Sequence, residues 1–390
     1  MTERLYYTEP YRRSFDGTVT AVEPAGDRYH VVLDHTAFYP TSGGQPFDTG
    51  TLGGAAVSDV IDREDGTIAH VVSAPLRVGE VVQGEIDWAR RFDHMQQHTG
   101  QHVLSAAFDR LFGARTESFH MGQLSSTIDL AAEMSPAQIA RAEDDANQVV
   151  WEDRPVAIRF VTAEEAAAMP LRKESGRTGS LRLIDVQGYD LSACGGTHVE
   201  RTGAIGVIAI GGWEKFRGGS RIEFLCGGRA VGRFRLWRDA LGSMQKHLSV
   251  APVEMAASIE RMQEESKAQQ RTIRGFQEKL AAHEAGALLA KGSKVIVEAI
   301  DGWDAQGLKG IAAAVTAADA DAVVAVFTTT TPALVVIARG SRATLDANAV
   351  LKQLTAKFGG KGGGKPDLAQ GGGLNAGSAE LVSAARAMLT

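Results

Sequence analysis

The feature that most constrains the fold is a change in hydrophobic period at about Asp87. Before it, apolar and polar residues alternate in "GTVTAVEPAGDRYHVVLDHTAFYP" and "TLGGAAVSDVIDREDGTIAHVVS", as in strands with one buried face. Turn residues interrupt these stretches at "PAGD" and "REDG", so residues 1–88 are expected to form the hairpins of a small β-barrel. A glycine-rich loop, "TSGGQPFDTG", lies between the two stretches.

After Asp87 the period becomes that of a helix. In "DWARRFDHMQQHTGQHVLSAAFDRLFG" the residues that recur near a period of 3.6 are Phe92, Met95, Thr99, His102, Leu104 and Phe108. Gly113 is expected to end this helix. The following residues mix strands with a helix at about 135–152, which predicts an α+β domain over residues 89–240.

The third part of the chain has the rhythm of a weak coiled coil. From Met255 to Ala287, suitable residues recur at alternating steps of four and three, although Ser266, Gln269 and His283 weaken the pattern. Residues 241–291 are therefore expected to form one long helix or a helical hairpin. Two roles remain open for this segment, that of a connector and that of a dimerising element.

The last part, residues 292–390, alternates strands and helices and is predicted to be a compact α/β domain. Its glycine run, "GGKGGGKPDLAQGGG", contains Lys361, Lys365 and Asp367. The run is either a flexible linker or a loop whose backbone N–H groups approach phosphate. We favour the loop because more structure follows it. The expected fold class is thus multidomain α+β.

The composition is that of a soluble globular protein, with 44% apolar and 23% charged residues in a chain of 390. No apolar run reaches 18 residues, and the start, "MTERLYYTEPYRRSF", is polar. We therefore expect a cytoplasmic protein without a signal peptide. The only cysteines, Cys194 and Cys226, exclude a disulfide framework.

The net charge of −6 gives no hint of a nucleic-acid partner, but basic residues are concentrated in two segments. The first contains Arg201, Lys215, Arg217, Arg221, Arg229, Arg233, Arg235 and Arg238. The second contains Arg339, Arg342, Lys352, Lys357, Lys361, Lys365 and Arg386. Such segments could neutralise the phosphates of a nucleic acid.

Histidines at a spacing of four suggest a metal site. His94, His98 and His102 share one helix face, and each step of four advances about 6 Å along the axis. His94 and His102 are then too far apart to share one ion, so the pairs 94/98 and 98/102 both remain possible. In "ACGGTHVE", a turn could bring Cys194 and His198 to the same centre.

One cysteine and three histidines form a set suited to Zn²⁺ and too poor in sulfur for an iron–sulfur cluster. The alternative is purely structural, with Cys194 as a small buried hydrophobe and His198 as a cap. Spacing alone does not separate these interpretations.

The motifs "HTGQH" and "CGGTH", preceded by "TAFYPTSGGQPFDTG", resemble the editing domain of alanyl-tRNA synthetase and the stand-alone AlaX trans-editing proteins. The segment "GGGKPDLAQGGG" resembles the DHHA1 domain, so the resemblance spans nearly the whole chain. It favours His98 and His102 over His94 as ligands, because the family's first pair precedes an apolar helix such as "VLSAAF". It thereby implies a site of His98, His102, Cys194 and His198.

The resemblance implies a function as well. The chain starts directly at the barrel, and no aminoacylation domain precedes it, which is the arrangement of the long stand-alone form. Such a protein is an aminoacyl-tRNA deacylase, a carboxylic ester hydrolase that removes a wrongly attached amino acid from tRNA(Ala) with a bound Zn²⁺. The expected substrate is chiefly seryl-tRNA(Ala), with glycyl-tRNA(Ala) as a second candidate.

The same resemblance assigns roles in the substrate pocket. Thr36 matches the family position proposed to contact the serine hydroxyl, although strand propensity alone would explain a threonine there. Gln45 matches a pocket residue that positions substrate or water, and Gly43 and Gly44 belong to the same substrate loop. Ser42 stands where the family often has a third glycine, which leaves the detailed shape of this loop open.

Four basic residues are expected to contact RNA collectively: Arg217, Arg221, Lys361 and Lys365. A homodimer through the helical linker or the C-terminal domain is a further expectation. Because four protein ligands fill a tetrahedron, either Cys194 binds loosely or the ion orients the substrate.

Two other functions are compatible with parts of the sequence. The first is a catalytically silent tRNA-binding protein with a structural zinc. The second, a DHHA1-associated phosphoesterase, requires an acidic and histidine metal motif of the DHH type, which the sequence lacks.

Overall fold

The computed structural model describes residues 1–172 and 179–390, which form two compact units, Met1–Ser243 and Met244–Thr390. Each unit has its own buried apolar core. No helix within the described residues is long and apolar enough to cross a membrane.

The first unit begins with a closed six-stranded barrel, as the alternating pattern predicts. Its strands are β2 (Ser14–Ala25), β3 (Arg28–Leu33), β5 (Gly50–Leu52), β6 (Ala55–Asp62), β7 (Ile68–Val72) and β8 (Val81–Ile86). They run antiparallel in the order β2-β3-β7-β6-β5-β8. Two further short strands, β1 (Glu3–Arg4) and β4 (His35–Thr36), pair in parallel and form a separate two-stranded sheet.

Local sequence signals explain the barrel's turns and its core. The β2–β3 turn uses Gly26 at a φ of +65°, and Gly66, at +81°, lies in the turn between β6 and β7. Both turns fall where "PAGD" and "REDG" predict them. The inward-facing apolar residues include Val19, Val31, Leu33, Leu52 and Ile68, all fully or almost fully buried.

Helix α1 (Trp88–Phe112) follows the barrel directly. Its first turn is capped by Asp87, whose side chain accepts a hydrogen bond from the backbone N–H of Arg90. It ends at Gly113, which adopts a left-handed φ of +64°. The predicted helix is therefore confirmed at both ends.

The rest of the first unit packs strands and helices around α1. A four-stranded antiparallel sheet contains β9 (Thr116–Met121), β10 (Ser126–Leu130), β14 (Ile208–Phe216) and β15 (Gly219–Cys226) in the order β14-β15-β10-β9. A second, three-stranded sheet contains β11 (Val156–Val161), β12 (Leu181–Val186) and β13 (Asp190–Ala193). The helices are α2 (Pro136–Trp151), α3 (Ala163–Ala167) and α4 (Gly227–Leu248), the last of which runs across the division between the units.

The coiled-coil-like segment forms one helix, α5 (Met255–Leu289), rather than a helical hairpin. Several apolar residues of its repeat are exposed, namely Ile259, Met262, Ile273, Phe276 and Leu280. Near its end, Ala281, Ala285 and Leu288 are buried against the following α/β domain. The C-terminal end of the helix is thus anchored to this domain.

The α/β domain has a five-stranded sheet in the order β16-β17-β18-β20-β19. Its strands are β16 (Val295–Ile300), β17 (Val323–Thr328), β18 (Ala333–Arg339), β19 (Lys361–Gly364) and β20 (Leu368–Leu374). Its helices are α6 (Ala305–Ala318), α7 (Ala347–Phe358) and α8 (Ser378–Leu389).

The glycine run departs from the prediction, because it forms the antiparallel strands β19 and β20 and not a loop or linker. A Cβ at Gly362 would lie 2.5 Å from the carbonyl oxygen of Gln370, and one at Gly364 would lie 2.3 Å from that of Leu368. The glycines are therefore explained by the close approach of two backbones. We call this element the glycine hairpin, residues 361–374.

Candidate metal centre

Four side chains from two distant parts of the sequence meet in the first unit. His98 and His102 lie on consecutive turns of α1, and Cys194 and His198 follow the end of β13. Their four potential ligand atoms all lie within 4.8 Å of one another. The Sγ atom of Cys194 is 3.4 Å from Nε2 of His98 and 3.3 Å from Nε2 of His198. The cluster could therefore hold a metal ion.

A glycine in the second motif makes this approach possible. A Cβ atom at Gly196 would lie 2.2 Å from a ring carbon of His98. Any larger residue would push the imidazole away from Cys194. The motif "CGGTH" thus needs a glycine at position 196 for steric reasons.

Two of the three histidines are oriented by hydrogen bonds from their outer ring nitrogen. Nδ1 of His102 lies 2.9 Å from a carboxylate oxygen of Asp190, and Nδ1 of His198 lies 3.2 Å from the hydroxyl oxygen of Thr99. The Thr99 hydroxyl donates to the carbonyl oxygen of Met95, 2.8 Å away, so it must accept from His198. Both histidines therefore carry the hydrogen on Nδ1 and present the lone pair of Nε2 to the cluster.

The third histidine is oriented by Gln45. Nδ1 of His98 lies 2.9 Å from the amide oxygen of Gln45, which also accepts from the backbone N–H of Thr197 at 3.1 Å. The amide nitrogen of Gln45 donates to the Thr197 hydroxyl at 2.8 Å. Since this network makes Oε1 the acceptor, His98 also presents the Nε2 lone pair toward Cys194.

The electrostatics of the cluster favour a thiolate. Burial alone would raise the pKa of the Cys194 thiol, but the nearby His98 and His198 hold it well below its usual range. Burial also opposes a charge on His102, whereas its hydrogen bond to Asp190 raises the pKa of His102 to about 9. A metal cation bound by the thiolate would replace this proton as the compensating positive charge.

The donor set fits a borderline-soft divalent ion. One thiolate and three imidazole nitrogens match the ligands of tetrahedral zinc sites, and each imidazole has the outer hydrogen-bond partner that such ligands usually have. His94 lies outside the cluster, and burial lowers its pKa to about 4, so it remains a neutral buried side chain.

The cluster opens onto a cavity of about 560 Å³. His98, His102 and Cys194 line one part of it, and Ser42, Gly43 and Arg182 line other parts. A volume of this order accommodates a small organic group. The metal centre is therefore buried but reachable from a cavity.

Family models match three parts of the chain. Residues 12–90 match the model described as tRNA synthetases class II (A), residues 181–223 match the threonyl and alanyl tRNA synthetase second additional domain, and residues 292–389 match the DHHA1 domain. The alanyl-tRNA editing protein AlaX-L of Pyrococcus horikoshii is 31% identical over 389 residues, covering 95% of this chain and 94% of the relative. The chain belongs to the AlaX-L-like alanyl-tRNA editing proteins.

Other relatives support this assignment. The mouse alanyl-tRNA editing protein Aarsd1 is 32% identical over 302 residues, which cover 73% of each chain. The alanine–tRNA ligase of Methanoregula boonei is 34% identical over 98% of this chain, but the match spans only 44% of the ligase. The AlaX-like chain thus corresponds to less than half of such a ligase.

The predicted pocket residues of this AlaX-like protein lie in different environments. Gly43 lines the cavity, whereas Gln45 is fully buried behind His98. Gly44 has a φ of +85°, and a Cβ there would lie 2.8 Å from the carbonyl oxygen of Phe119. This close contact explains the glycine at position 44.

Thr36 is buried in the barrel and is not among the residues that line the cavity. Its hydroxyl lies 2.8 Å from Nε2 of His70, whose Nδ1 lies 2.9 Å from the carbonyl oxygen of Val31. Because Nδ1 must donate to that carbonyl, Nε2 accepts from Thr36. The hydroxyl also accepts from the backbone N–H of Phe38, so its hydrogen is already used within the barrel.

The predicted RNA-binding residues belong to two different units. Arg217 occupies the β14–β15 turn, and Arg221 on β15 pairs with Asp129 at 2.7 Å. Lys361 and Lys365 are exposed residues of the glycine hairpin in the second unit. Within the first unit, neither Arg217 nor Arg221 belongs to the cluster or lines the cavity.

Sequence analysis missed Thr99, Asp190 and Arg182. Thr99 lies inside "HTGQH" and Asp190 lies four residues before Cys194, so their places in the motifs could have marked them as outer partners. Arg182 has no such signal, because it meets Cys194 only through the pairing of β12 with β13.

Proposed function

We propose that the protein is a trans-editing deacylase that hydrolyses mischarged tRNA(Ala) with a bound zinc ion. The chief substrate is seryl-tRNA(Ala), and glycyl-tRNA(Ala) is a second substrate. The observation that carries the proposal is the cluster of one thiolate and three oriented imidazoles beside the cavity, in a chain related to alanyl-tRNA editing proteins.

The residues of the cluster would bind the ion, and the hydrogen-bond partners of the histidine Nδ1 atoms would orient these ligands. His98, His102, Cys194 and His198 are the proposed ligands. A bound zinc ion supplies Lewis-acid chemistry that polarises an ester carbonyl or activates water. Gln45 positions His98 through the hydrogen bond to Nδ1, which gives it a supporting role rather than direct contact with the substrate.

Serine selectivity would come from a polar contact that alanine cannot make, since alanine would leave a buried polar group unpaired. Contact of Thr36 with the serine hydroxyl stays a prediction. In this structure the Thr36 hydroxyl donates its hydrogen to His70 within the barrel, so it is not free to donate to a substrate. A Thr36→Val variant tests it. If the contact forms, the variant loses its preference for seryl- over alanyl-tRNA(Ala), whereas a purely structural role changes stability alone.

We propose that RNA binding is shared between Arg217, Arg221, Lys361 and Lys365. Arg217, Lys361 and Lys365 are exposed, and Arg221 is half-buried beside Asp129. Basic side chains at a surface neutralise phosphates with a strong dependence on salt. In this proposal residues 1–88 and 89–240 form the editing part, residues 241–291 link it to the remainder, and residues 292–390 contribute to tRNA binding and to a homodimer. A flat response of tRNA affinity to salt would contradict the RNA-binding part.

The decisive experiment is release of labelled amino acid from seryl-, glycyl- and alanyl-tRNA(Ala). We expect release from the seryl and glycyl forms, little from the alanyl form, and loss of activity in His98→Ala and Cys194→Ala. His94→Gln is the matched control, because His94 lies one turn earlier on α1 and is buried but outside the cluster. It should retain activity.

The outcome separates the deacylase from its rival. No release from any charged tRNA by folded, zinc-loaded protein would favour a catalytically silent tRNA-binding protein with a structural zinc. Release that is unaffected by Cys194→Ala would instead place the reaction outside this cluster. Circular dichroism is measured on each variant to confirm that it is folded, and zinc content shows whether it still holds the metal.

A further inference from the structure

One residue that lines the cavity has a buried donor for which the described part of the chain offers no partner. Among the described residues, the buried polar side-chain atoms without a hydrogen bond are the Tyr6 hydroxyl, Nδ1 of His94, Oγ of Ser126 and Nη2 of Arg182. Of these four residues, Arg182 alone lines the 560 Å³ cavity beside the metal centre. A buried donor without a partner is unfavourable, so such a group in a cavity points to a ligand.

The guanidinium of Arg182 is held in place by two backbone carbonyls. Arg182 lies on β12 opposite Cys194, whose backbone N–H donates to the carbonyl oxygen of Arg182 at 3.1 Å. In return, Nη1 of Arg182 donates to the carbonyl oxygen of Cys194 at 2.6 Å, and Nε donates to that of Tyr7 at 2.9 Å. The side chain is therefore fixed next to a metal ligand, with Nη2 left over.

Burial disfavours the charge of Arg182, and the Cys194 thiolate is the main group that opposes this effect on its pKa. In residues 1–172 and 179–390, no carboxylate forms an ion pair with it. The other two arginines that line the cavity form ion pairs with carboxylates: Arg4 pairs with Asp62 at 2.7 Å, and Arg172 pairs with Asp190 at 2.6 Å. Arg182 is only 8% exposed, and a guanidinium keeps its charge even when buried.

We propose that Arg182 stabilises the negative charge that develops on the carbonyl oxygen of the scissile ester during hydrolysis. The inference rests on the proposed deacylase function. In hydrolysis, the water oxygen bonds to the carbonyl carbon, and the bond from this carbon to the ribose oxygen breaks. One water proton goes to the ribose oxygen and the other to solvent, leaving the amino acid as a carboxylate. Between these steps the carbonyl oxygen is anionic.

The placement of Arg182 suits this role. Because Nη1 donates to the carbonyl oxygen of Cys194, the guanidinium lies beside a residue of the cluster, and both residues line the cavity. A donor that is already fixed in a buried site needs no reorganisation when charge develops, and removal of one such donor commonly lowers kcat by about 10²–10³-fold.

A phosphate of the tRNA 3′ end is the other anionic oxygen that Arg182 could bind. The phosphate oxygen and the ester oxyanion differ in the stage of the reaction at which they carry a negative charge. A phosphate is charged before and during the reaction, so its contact contributes equally to substrate binding and to the transition state. The oxyanion exists only during the reaction, so its contact contributes to the rate at saturation and not to binding.

The test uses the full-length, zinc-loaded protein with Arg182→Gln and Arg182→Lys. Arg159→Gln is the control, since Arg159 lies on the neighbouring strand β11, is exposed, and pairs with Asp185 outside the cavity. Two quantities are measured: the single-turnover rate of deacylation of seryl-tRNA(Ala) at saturation, and the Kd for tRNA(Ala) bearing serine through an uncleavable amide. Zinc content and the thermal unfolding midpoint are measured in parallel.

We expect the rate to fall about 10²–10³-fold in Arg182→Gln, and less in Arg182→Lys, with the Kd within about twofold of wild type. Zinc content should be unchanged, and Arg159→Gln should react at the wild-type rate. A third variant, Arg182→Ala, leaves space for a free guanidinium ion. Added guanidinium at millimolar concentration should restore part of its rate, which a purely structural residue would not allow.

Several results would overturn the inference. An unchanged rate in folded Arg182→Gln would do so, as would a weaker Kd with an unchanged rate, which assigns the residue to a phosphate. Unfolding or zinc loss in every Arg182 variant would show only a structural link between Tyr7 and Cys194. If wild type is active while Arg182→Gln is equally active, this inference alone fails. An inactive wild type removes the proposed function as well.

Discussion

The metal centre and the glycine hairpin are both recognisable as sequence motifs, yet they use their residues in opposite ways. In the metal centre, each histidine is buried and its outer nitrogen has a defined partner. In the glycine hairpin, the glycines allow two strands to pair, and the lysines are exposed. The difference teaches that a single substitution should matter greatly in the first region and little in the second.

The largest effect should follow from removal of the thiolate. Cys194→Ala is expected to lose its metal and its ester hydrolysis, with affinity reduced by more than the roughly 10–100-fold typical of losing an outer partner. The measurement is metal content after gel filtration. Cys226→Ala is the control, because burial raises the pKa of Cys226 and it lies outside the cluster. Full metal content in Cys194→Ala would refute the assigned site.

A buried histidine outside the metal centre sharpens the comparison. Burial lowers the pKa of His70 to about 4. Since the unfolded chain takes up this proton near pH 6.5 and the folded chain does not until about pH 4, stability falls as pH decreases across that window. The contribution is roughly 3 kcal/mol at about 1.4 kcal/mol per pKa unit, and it is fully present above pH 6.5.

Chemical denaturation between pH 4 and 7 measures this contribution. His70→Gln should lose less stability on acidification than wild type, by about one proton's worth of slope. Identical pH profiles for the two proteins would show that His70 is not the buried neutral group described here.

Loss of an outer partner should have a smaller effect on the metal. Gln45→Ala removes the acceptor for Nδ1 of His98 and is expected to weaken metal affinity about 10–100-fold. Competition with a chromophoric chelator gives the affinity. Ser42→Ala is the control, because Ser42 lies in the same loop and makes its hydrogen bonds through the backbone. Equal affinities in both variants would mean that the outer partner does not orient the ligand.

The smallest effect is expected in the glycine hairpin. Lys361→Ala with Lys365→Ala should weaken tRNA binding only a few-fold and reduce the slope of log K against log salt by about two. Lys294→Ala is the control, since the charge of Lys294 is matched by Asp319 at 3.1 Å. The measurement is tRNA affinity of the double variant and of the control over a range of salt concentrations. An unchanged slope in the double variant would exclude the two lysines from the tRNA interface.

Local patterns predicted much of the fold. The barrel turns and the ends of α1 follow from local patterns, because turn chemistry and capping depend on near neighbours in the chain. Spacing marked histidines and Cys194 as candidate ligands, and the family resemblance chose His98 and His102 over His94. The glycine run was misjudged as a loop for the opposite reason. The pairing of β19 with β20 depends on how closely two backbones approach each other, and amino-acid composition contains no information on that distance.

The functional residues divide in the same way. Sequence by itself determined which side chains could bind a metal, since histidine and cysteine carry that chemistry wherever they are placed. Only the tertiary structure decided that Gln45, Asp190 and Thr99 orient the histidines. It also decided that the Thr36 hydroxyl is hydrogen-bonded to His70 and that Arg182 is hydrogen-bonded to the main chain of Cys194. These contacts join residues far apart in the chain, and the direction of a buried hydrogen bond depends on the packing of every element around it.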